Sequence, residues 1–250
     1  MKRSLLIILT FLLVVPFSQG QLWKMRRWEL EAGIGPSLFF GDIGGFSRNK
    51  NLLGFRDLTY LQTRFDINAS LRYRLARQFN ARFNLSGGML HATDIRGSNE
   101  GRAMEATTTF YEAALMGEYY FIKNKAETSY LFLRGRARRP LVTLLKSLDF
   151  YAFTGIGGLQ YSVKPNDALE THGYEKGGTT AVIPGGIGTT LIYNPNINFG
   201  LELGARYTFT DFLDGYTSQF SEANDVYYFL NFVVTYKLKS GPHGLPRLRR

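Results

Sequence analysis

Hydrophobic and polar positions alternate along most of this chain with a period of two. From Phe65 to Leu75 one face carries Phe65, Ile67, Ala69, Leu71, Tyr73 and Leu75, and the other Asp66, Asn68, Ser70, Arg72 and Arg74. Alternation over this length is the signature of a strand, and no helical stripe fits it. The pattern resumes after Ala76-Arg77-Gln78 with Phe79, Ala81, Phe83, Leu85 and Met89 on one face. Trp28–Ile34, Tyr111–Phe121, Phe199–Phe209 and Tyr228–Leu238 repeat it, and two glycine-rich stretches, Phe150–Tyr161 and Ala181–Tyr193, complete a set of eight.

The connections sort into two kinds. Those after the first, third, fifth and seventh strands are long: Pro36–Arg56, His91–Thr107, Ser162–Thr180 and Asp211–Asn224. Those after the second and sixth are short, at Ala76-Arg77-Gln78 and Asn194-Pro195-Asn196. Short turns at one end and long loops at the other predict an all-β fold, an eight-stranded antiparallel transmembrane β-barrel of the outer-membrane type. A soluble β-sandwich also alternates, but its polar faces look out to water. Here those faces hold Glu29, Glu31, Asp66, Glu112, Glu118 and Glu202 against Arg64, Arg72, Arg74, Arg82 and Arg206, a set that can fill a narrow lumen as a paired network. Tyr73, Tyr119, Tyr193, Tyr207 and Tyr236 near strand ends suit an aromatic girdle. A barrel of eight strands has room inside only for its own side chains, so a diffusion pore is not expected.

The first twenty residues read differently. Lys2 and Arg3 precede an apolar Leu5–Val15, and Ser18-Gln19-Gly20 offers small residues at a cleavage site. Residues 1–20 are therefore expected to be a signal peptide, 21–238 the barrel and 239–250 a basic periplasmic tail. Export to an outer membrane makes lipid the principal surroundings and removes nucleic acid from consideration by compartment.

Composition adds two points. The 250 residues contain no cysteine, which excludes disulfides, thiolate metal sites, a cysteine nucleophile and a lipoprotein anchor. The charge is unevenly placed. The connection after the fourth strand, Ile122–Ser147, carries Lys123, Lys125, Arg134, Arg136, Arg138, Arg139 and Lys146 against Glu127, and the tail adds Lys239, Arg247, Arg249 and Arg250. These eleven bases against one acid equal the formal net charge of +10. The connection faces the periplasm, where short turns are the rule, and its bases can dock an acidic partner, the inner leaflet or cell-wall polymer. Arg134, Arg136, Arg138 and Arg139 are the expected partner-binding residues. Tyr130-Leu131-Phe132-Leu133 within it reads as a strand-like apolar patch that can extend the neighbouring strands.

No catalytic, cofactor or metal site is expected, and no small-molecule substrate is identified. Outer-membrane proteases, lipid A deacylases and phospholipases need a His beside a carboxylate or a Ser. His91, His172 and His243 are the three histidines, and Ser86 projects to the opposite side of the sheet from His91. A His91–Asp94 pair is the one arrangement with catalytic character. Gly41-Asp42-Ile43-Gly44-Gly45 and Gly155-Ile156-Gly157-Gly158 lack the following helix and Lys-Ser/Thr of a phosphate loop and read as turn and bend glycines. Asp211, Asp214, Glu222 and Asp225 are a possible Ca²⁺ set without EF-hand spacing.

Four segments carry a family resemblance. Phe39-Phe40-Gly41-Asp42-Ile43-Gly44-Gly45 resembles the loop after the first strand of the PorG-like barrels of Bacteroidota, and Ala205–Tyr216 resembles their penultimate strand and the loop that follows. Asn224–Tyr228 with Thr235–Leu238 is similar to their ending, and Tyr151–Gly157 to their fifth strand. The resemblance implies an outer-membrane subunit of the type IX protein secretion and gliding machinery that associates with a periplasmic ring lipoprotein. The bases of Arg134–Arg139 and the tail Gly241–Arg250 depart from the family's pattern. The competing expectation is a stand-alone OmpX- or OmpW-like barrel for surface adhesion or small-solute passage.

Overall fold

The computed structural model describes residues 26–44, 60–95, 100–124, 129–134, 140–218, 224–239 and 245–246. Residues 1–20, the expected signal peptide, lie outside them, as does most of the expected tail 239–250. Eight strands run in chain order: β1 Trp28–Phe40, β2 Arg64–Arg74, β3 Phe79–Thr93, β4 Glu105–Ile122, β5 Leu148–Pro165, β6 Gly177–Ile192, β7 Ile197–Thr208 and β8 Val226–Leu238. Each pairs antiparallel with the next, and β1 pairs with β8, closing the sheet into a barrel. Closure removes both sheet edges, so every strand has a partner on each side.

The period-two pattern sets the two surfaces. Leu30, Ile34, Leu71, Phe83, Leu85, Leu115, Ile156, Ile187, Leu203 and Phe232 all point outward and are exposed. An exposed apolar belt around a closed barrel is stable against lipid and not against water. At the short-turn end the belt finishes in aromatic pairs, Trp28–Tyr73, Phe79–Tyr119 and Tyr193–Phe199, with ring centroids 4.8, 4.9 and 5.3 Å apart. Of the expected girdle, Tyr73, Tyr119, Tyr193 and Tyr236 lie here, and Tyr207 lies at the long-loop end. By the rule that such barrels keep their short turns inside, this is the periplasmic end.

The strands run further toward the long loops than the alternation predicts. β1 continues through Pro36 to Phe40 rather than turning at Pro36. Proline has no N–H to donate, and the ladder to β8 skips Gly35 and Pro36 before resuming at Ser37↔Phe229 in the same register. β3 ends at Thr93 and β4 begins at Glu105, so His91 and Thr107 are paired strand residues rather than loop ends. β4 and β5, at 18 residues each, project past the apolar belt, where Thr107, Thr109, Gln160, Ser162 and Lys164 replace the outward apolar residues.

Among the described residues two connections contain α-helices. Tyr130–Arg134 forms α1 and Pro140–Lys146 forms α2, so the apolar Tyr130–Leu133 patch does not extend a strand. β4 and β5 already pair with each other down to Ile122↔Phe150, and the closed sheet leaves no edge for an extra segment. In the third long loop, α3 spans Asp167–His172, capped by the Asn166 side chain, which accepts the Leu169 N–H.

The inward glycines make room for large neighbours. A Cβ on Gly155 lies 2.1 Å from the Leu115 carbonyl oxygen and 2.8 Å from Met116 Cα, so backbone blocks it. Gly155→Ala is expected to lower stability by about 1–3 kcal/mol through overpacking. Gly158→Ala, whose added methyl meets nothing within 4 Å, is expected to be close to neutral. Heat-modifiable gel mobility of the two variants, read as the temperature at which each unfolds, checks the contrast.

Candidate functional site

The periplasmic half of the lumen is filled by charge. Arg72 and Arg82, both fully buried, stand among Glu29, Glu31, Glu118 and Glu202. Arg72 Nε donates to Glu118 Oε1 at 2.9 Å, and its Nη2 lies 2.9 Å from Glu31 Oε2. Arg82 Nη1 donates to Glu31 Oε1 at 3.1 Å and also to Glu202 Oε1. Arg74 Nη2 completes the set with a 3.0 Å bond to Glu29 Oε1. Two guanidiniums thus bridge carboxylates from β1, β4 and β7. Ion pairs taken out of water need opposite charges close by, and each of these two guanidiniums is shared among several carboxylates. The Tyr151 hydroxyl donates to Glu202, and Arg82 packs 4.8 Å from the Phe153 ring centroid. Tyr151 reaches inward because Gly188 faces it, where a Cβ would stand 2.4 Å from the ring.

Arg64 does not join this network. It sits at the mouth and donates to the carbonyls of Leu61 and Thr63. The other expected members, Glu112 and Arg206, form the upper boundary. Glu112 Oε2 accepts the Tyr227 hydroxyl at 2.7 Å and lies 3.5 Å from Arg206 Nε. Above that boundary the lumen turns apolar. Phe39, Leu90, Phe110, Leu159, Leu213, Tyr227 and Phe229 form a buried core, with the Phe110 and Phe229 rings 5.7 Å apart.

The long-loop end is latched over this core by Gly41-Asp42-Ile43-Gly44 and the Phe209–Tyr216 segment. Ile43, almost fully buried, donates its N–H to Asp214 Oδ2 at 2.9 Å, and Gly44 donates to Asp94 Oδ1 at 2.8 Å. Gly44 has φ +88°, a backbone state in which a side chain is strained, and a Cβ there would also strike Gln62 and the Thr93 carbonyl. Arg102 grips Asp94 with two bonds, Nε–Oδ2 at 2.9 Å and Nη2–Oδ1 at 3.0 Å, and donates to the Asp42 carbonyl. Asp225 Oδ2 accepts the Leu213 N–H at 2.7 Å, and Asp214 Oδ1 accepts that of Tyr216 at 3.0 Å. Burial pushes the Asp214 carboxyl up to about 7, with Asp42 and Asp211 adding to the rise. Burial and the neighbouring Asp214 raise Asp225 as well. Burial disfavours the Arg102 charge, but the Asp94 contact outweighs it and holds the guanidinium above its ordinary range.

The conceivable His91–Asp94 pair does not form. His91 faces outward with Nδ1 3.1 Å from Thr107 Oγ1, whereas Asp94 is buried and held by Arg102 and Gly44. His172 ends α3 with Nδ1 2.9 Å from the Ala168 carbonyl, and His243 lies outside the described residues. Asp214 and Asp225 of the acidic set cap backbone amides, and Glu222 lies outside the described residues. Among the described residues no group of three or more His, Cys, Asp and Glu side chains is disposed to hold a metal. Arg134 is the last residue of α1, and Arg136, Arg138 and Arg139 lie outside the described residues.

No family model matches the chain, and no curated protein matches it. Solved structures similar to it include Neisserial surface protein A, at 11% identity, covering 84% of this chain and 96% of that one, with a TM-score of 0.45. Ail, the attachment invasion locus protein of Yersinia pestis, is 10% identical over 85% of this chain and 98% of its own, with a TM-score of 0.43. A major outer membrane protein from Thermus thermophilus is 10% identical, covering 84% of this chain and 98% of its own, with a TM-score of 0.45. The closed sheet, the outward apolar belt and the girdle decide the class. It is a transmembrane β-barrel of the outer-membrane type.

Proposed function

We propose that this chain is a non-enzymatic, non-conducting outer-membrane barrel that serves as a structural subunit of a protein assembly. The observation that carries the reading is the filled lumen. A buried ion-pair network below and an aromatic core above occupy the space through which a solute would pass, so function is left to the two ends. The finer reading is a subunit of the type IX secretion and gliding machinery. It is supported by the resemblance of the first and last long-loop motifs to PorG-like barrels, two segments 171 residues apart at Ile43 and Asp214 that bond to each other. In this reading the basic connection, with Arg134, Arg136, Arg138 and Arg139, meets a periplasmic ring lipoprotein.

The second reading is a stand-alone OmpX- or OmpW-like barrel. Its surface-adhesion form is favoured by the projection of β4 and β5 beyond the apolar belt, which raises a polar sheet above the membrane.

A mild-detergent pull-down of the tagged barrel from native outer membranes separates the two. The assembly reading expects ring lipoproteins in the eluate, with recovery falling severalfold when Arg134, Arg136, Arg138 and Arg139 are replaced by Ser in a barrel that still folds. A barrel that elutes alone and heat-modifiable overturns the assembly reading in favour of the second.

A further inference from the structure

The periplasmic rim is ringed by cations. Arg26 and Arg27 precede β1, Arg77 sits in the β2–β3 turn, Lys123 follows β4, Lys146 closes α2 before β5, and Lys239 follows β8. All six are partly or fully exposed. Arg26 donates to Asn196 Oδ1 at 2.6 Å and to the Pro195 carbonyl, which carries the ring across the β6–β7 turn. Among the described residues no acid is exposed at this end: Glu29 points into the lumen, and Asp149 is buried, accepting the Asn124 N–H at 2.7 Å.

The ring lies directly below the aromatic girdle. Arg27 Nη1 donates to the Tyr73 hydroxyl at 3.1 Å, and Tyr73 packs against Trp28. Lys123 sits at the same level but turns over the lumen, its Nζ 4.1 Å from the ring centroid of the inward-facing, buried Tyr120. The β4–β5 connection reaches the same level, since the Leu131 N–H donates to the carbonyl of Tyr193, itself a girdle residue paired with Phe199. Its helices expose Leu131, Phe132, Val142 and Leu145. Short helices with exposed apolar side chains, flanked by bases at the edge of a lipid-facing belt, have the character of interfacial elements.

From this arrangement we infer that the periplasmic rim is a collar for anionic phospholipid headgroups of the inner leaflet, with α1 and α2 bedding their apolar side chains among the acyl chains beside it. Three features select lipid over a protein partner. The charge encircles the barrel instead of gathering on one sector, as a continuous sheet of phosphates requires. It adjoins the lipid-facing belt, which Arg27 meets at the girdle residue Tyr73. Among the described residues it is also of one sign, and a base at an anionic surface contributes about fivefold in binding. The collar uses bases outside Arg134–Arg139, so it stands or falls apart from the assembly reading.

Trp28 reports on this site from within the girdle. With Trp23→Phe removing the second tryptophan, the full-length barrel is reconstituted in phosphatidylcholine vesicles containing brominated phosphatidylglycerol or brominated phosphatidylcholine. At low salt the anionic quencher is expected to be selected at Trp28 by about threefold or more. That preference is expected to approach one in about 0.5 M NaCl, where screening is short-ranged. Replacing Arg26, Arg77, Lys146 and Lys239 together by Gln is expected to abolish it. Equal quenching by the two lipids at low salt overturns the inference. So does a selectivity that survives salt or, in a variant that folds, the four substitutions. The wild-type salt titration keeps the test decisive whether or not that variant folds.

Discussion

Arg82→Ala is expected to destabilise the barrel by about 3–5 kcal/mol, the cost of leaving buried carboxylates without their counter-charge. The guanidinium touches Glu31, Glu118 and Glu202 at once, so its removal strips compensation from β1, β4 and β7 together. Arg72, which reaches the same carboxylates, cannot neutralise them all. Removing acid and base together is expected to cost less: Arg82→Leu with Glu202→Leu should be more stable than Arg82→Ala alone, because it takes one charge of each sign out of the lumen. Urea unfolding in detergent micelles, followed by heat-modifiable mobility, measures both. If Arg82→Ala unfolded at the wild-type midpoint, the ion pairs would not be holding the lumen closed.

The outer latch is expected to loosen as pH rises. The Asp214 carboxyl, ordinarily near 3.8, titrates near 7 in the folded loop, so the fold binds a proton that the opened loop releases. A raised carboxyl contributes stability that is fully present below about pH 4 and is lost as pH climbs toward 7; Asp225 acts in the same direction. Between pH 5 and pH 8 the opening equilibrium is expected to grow on the order of a hundredfold. Hydrogen exchange at the Ile43, Leu213 and Tyr216 amides, corrected for intrinsic pH dependence, reads this directly. Asp214→Asn is expected to remove most of the pH dependence. Exchange that stays flat in the wild type, or an unchanged slope in the variant, would show that these carboxyls do not govern the latch.

The barrel was legible because its two surfaces demand opposite chemistry, and each strand writes that demand as alternation. Phe65–Leu75 shows it without interruption. The lumen network was legible too, since the acids and bases at inward parity had no water to face. Arg64 broke the expectation: it shares that parity but lies at the mouth, where loop carbonyls are its nearest acceptors. Strand ends were harder to read. Pro36 looks like a turn residue, yet β1 passes through it by giving up ladder bonds to β8. A four-residue apolar run such as Tyr130–Leu133 cannot tell a strand from a helix, and barrel closure settles the matter. For α3 a local signal was present, an Asn166 cap with Asp167 and Glu170 in the first turn.

The latch lay beyond sequence reasoning. Asp42, Asp94, Arg102, Asp214 and Asp225 come from three loops, and only closure of the sheet brings them together. Their chemistry also differs from what isolated acids suggest. Asp214 and Asp225 are spent on backbone amides, and His91 faces away from Asp94, so the conceivable catalytic pair is not assembled.

The central claim is that nothing passes through this barrel, and single-channel recording in planar bilayers tests it most directly. Purified, refolded protein inserted at neutral pH is expected to give a silent membrane, with no conductance steps above the bare bilayer. Regular, reproducible steps from the wild-type protein would mean that the lumen opens, and would contradict the account of a sealed barrel that acts through its ends.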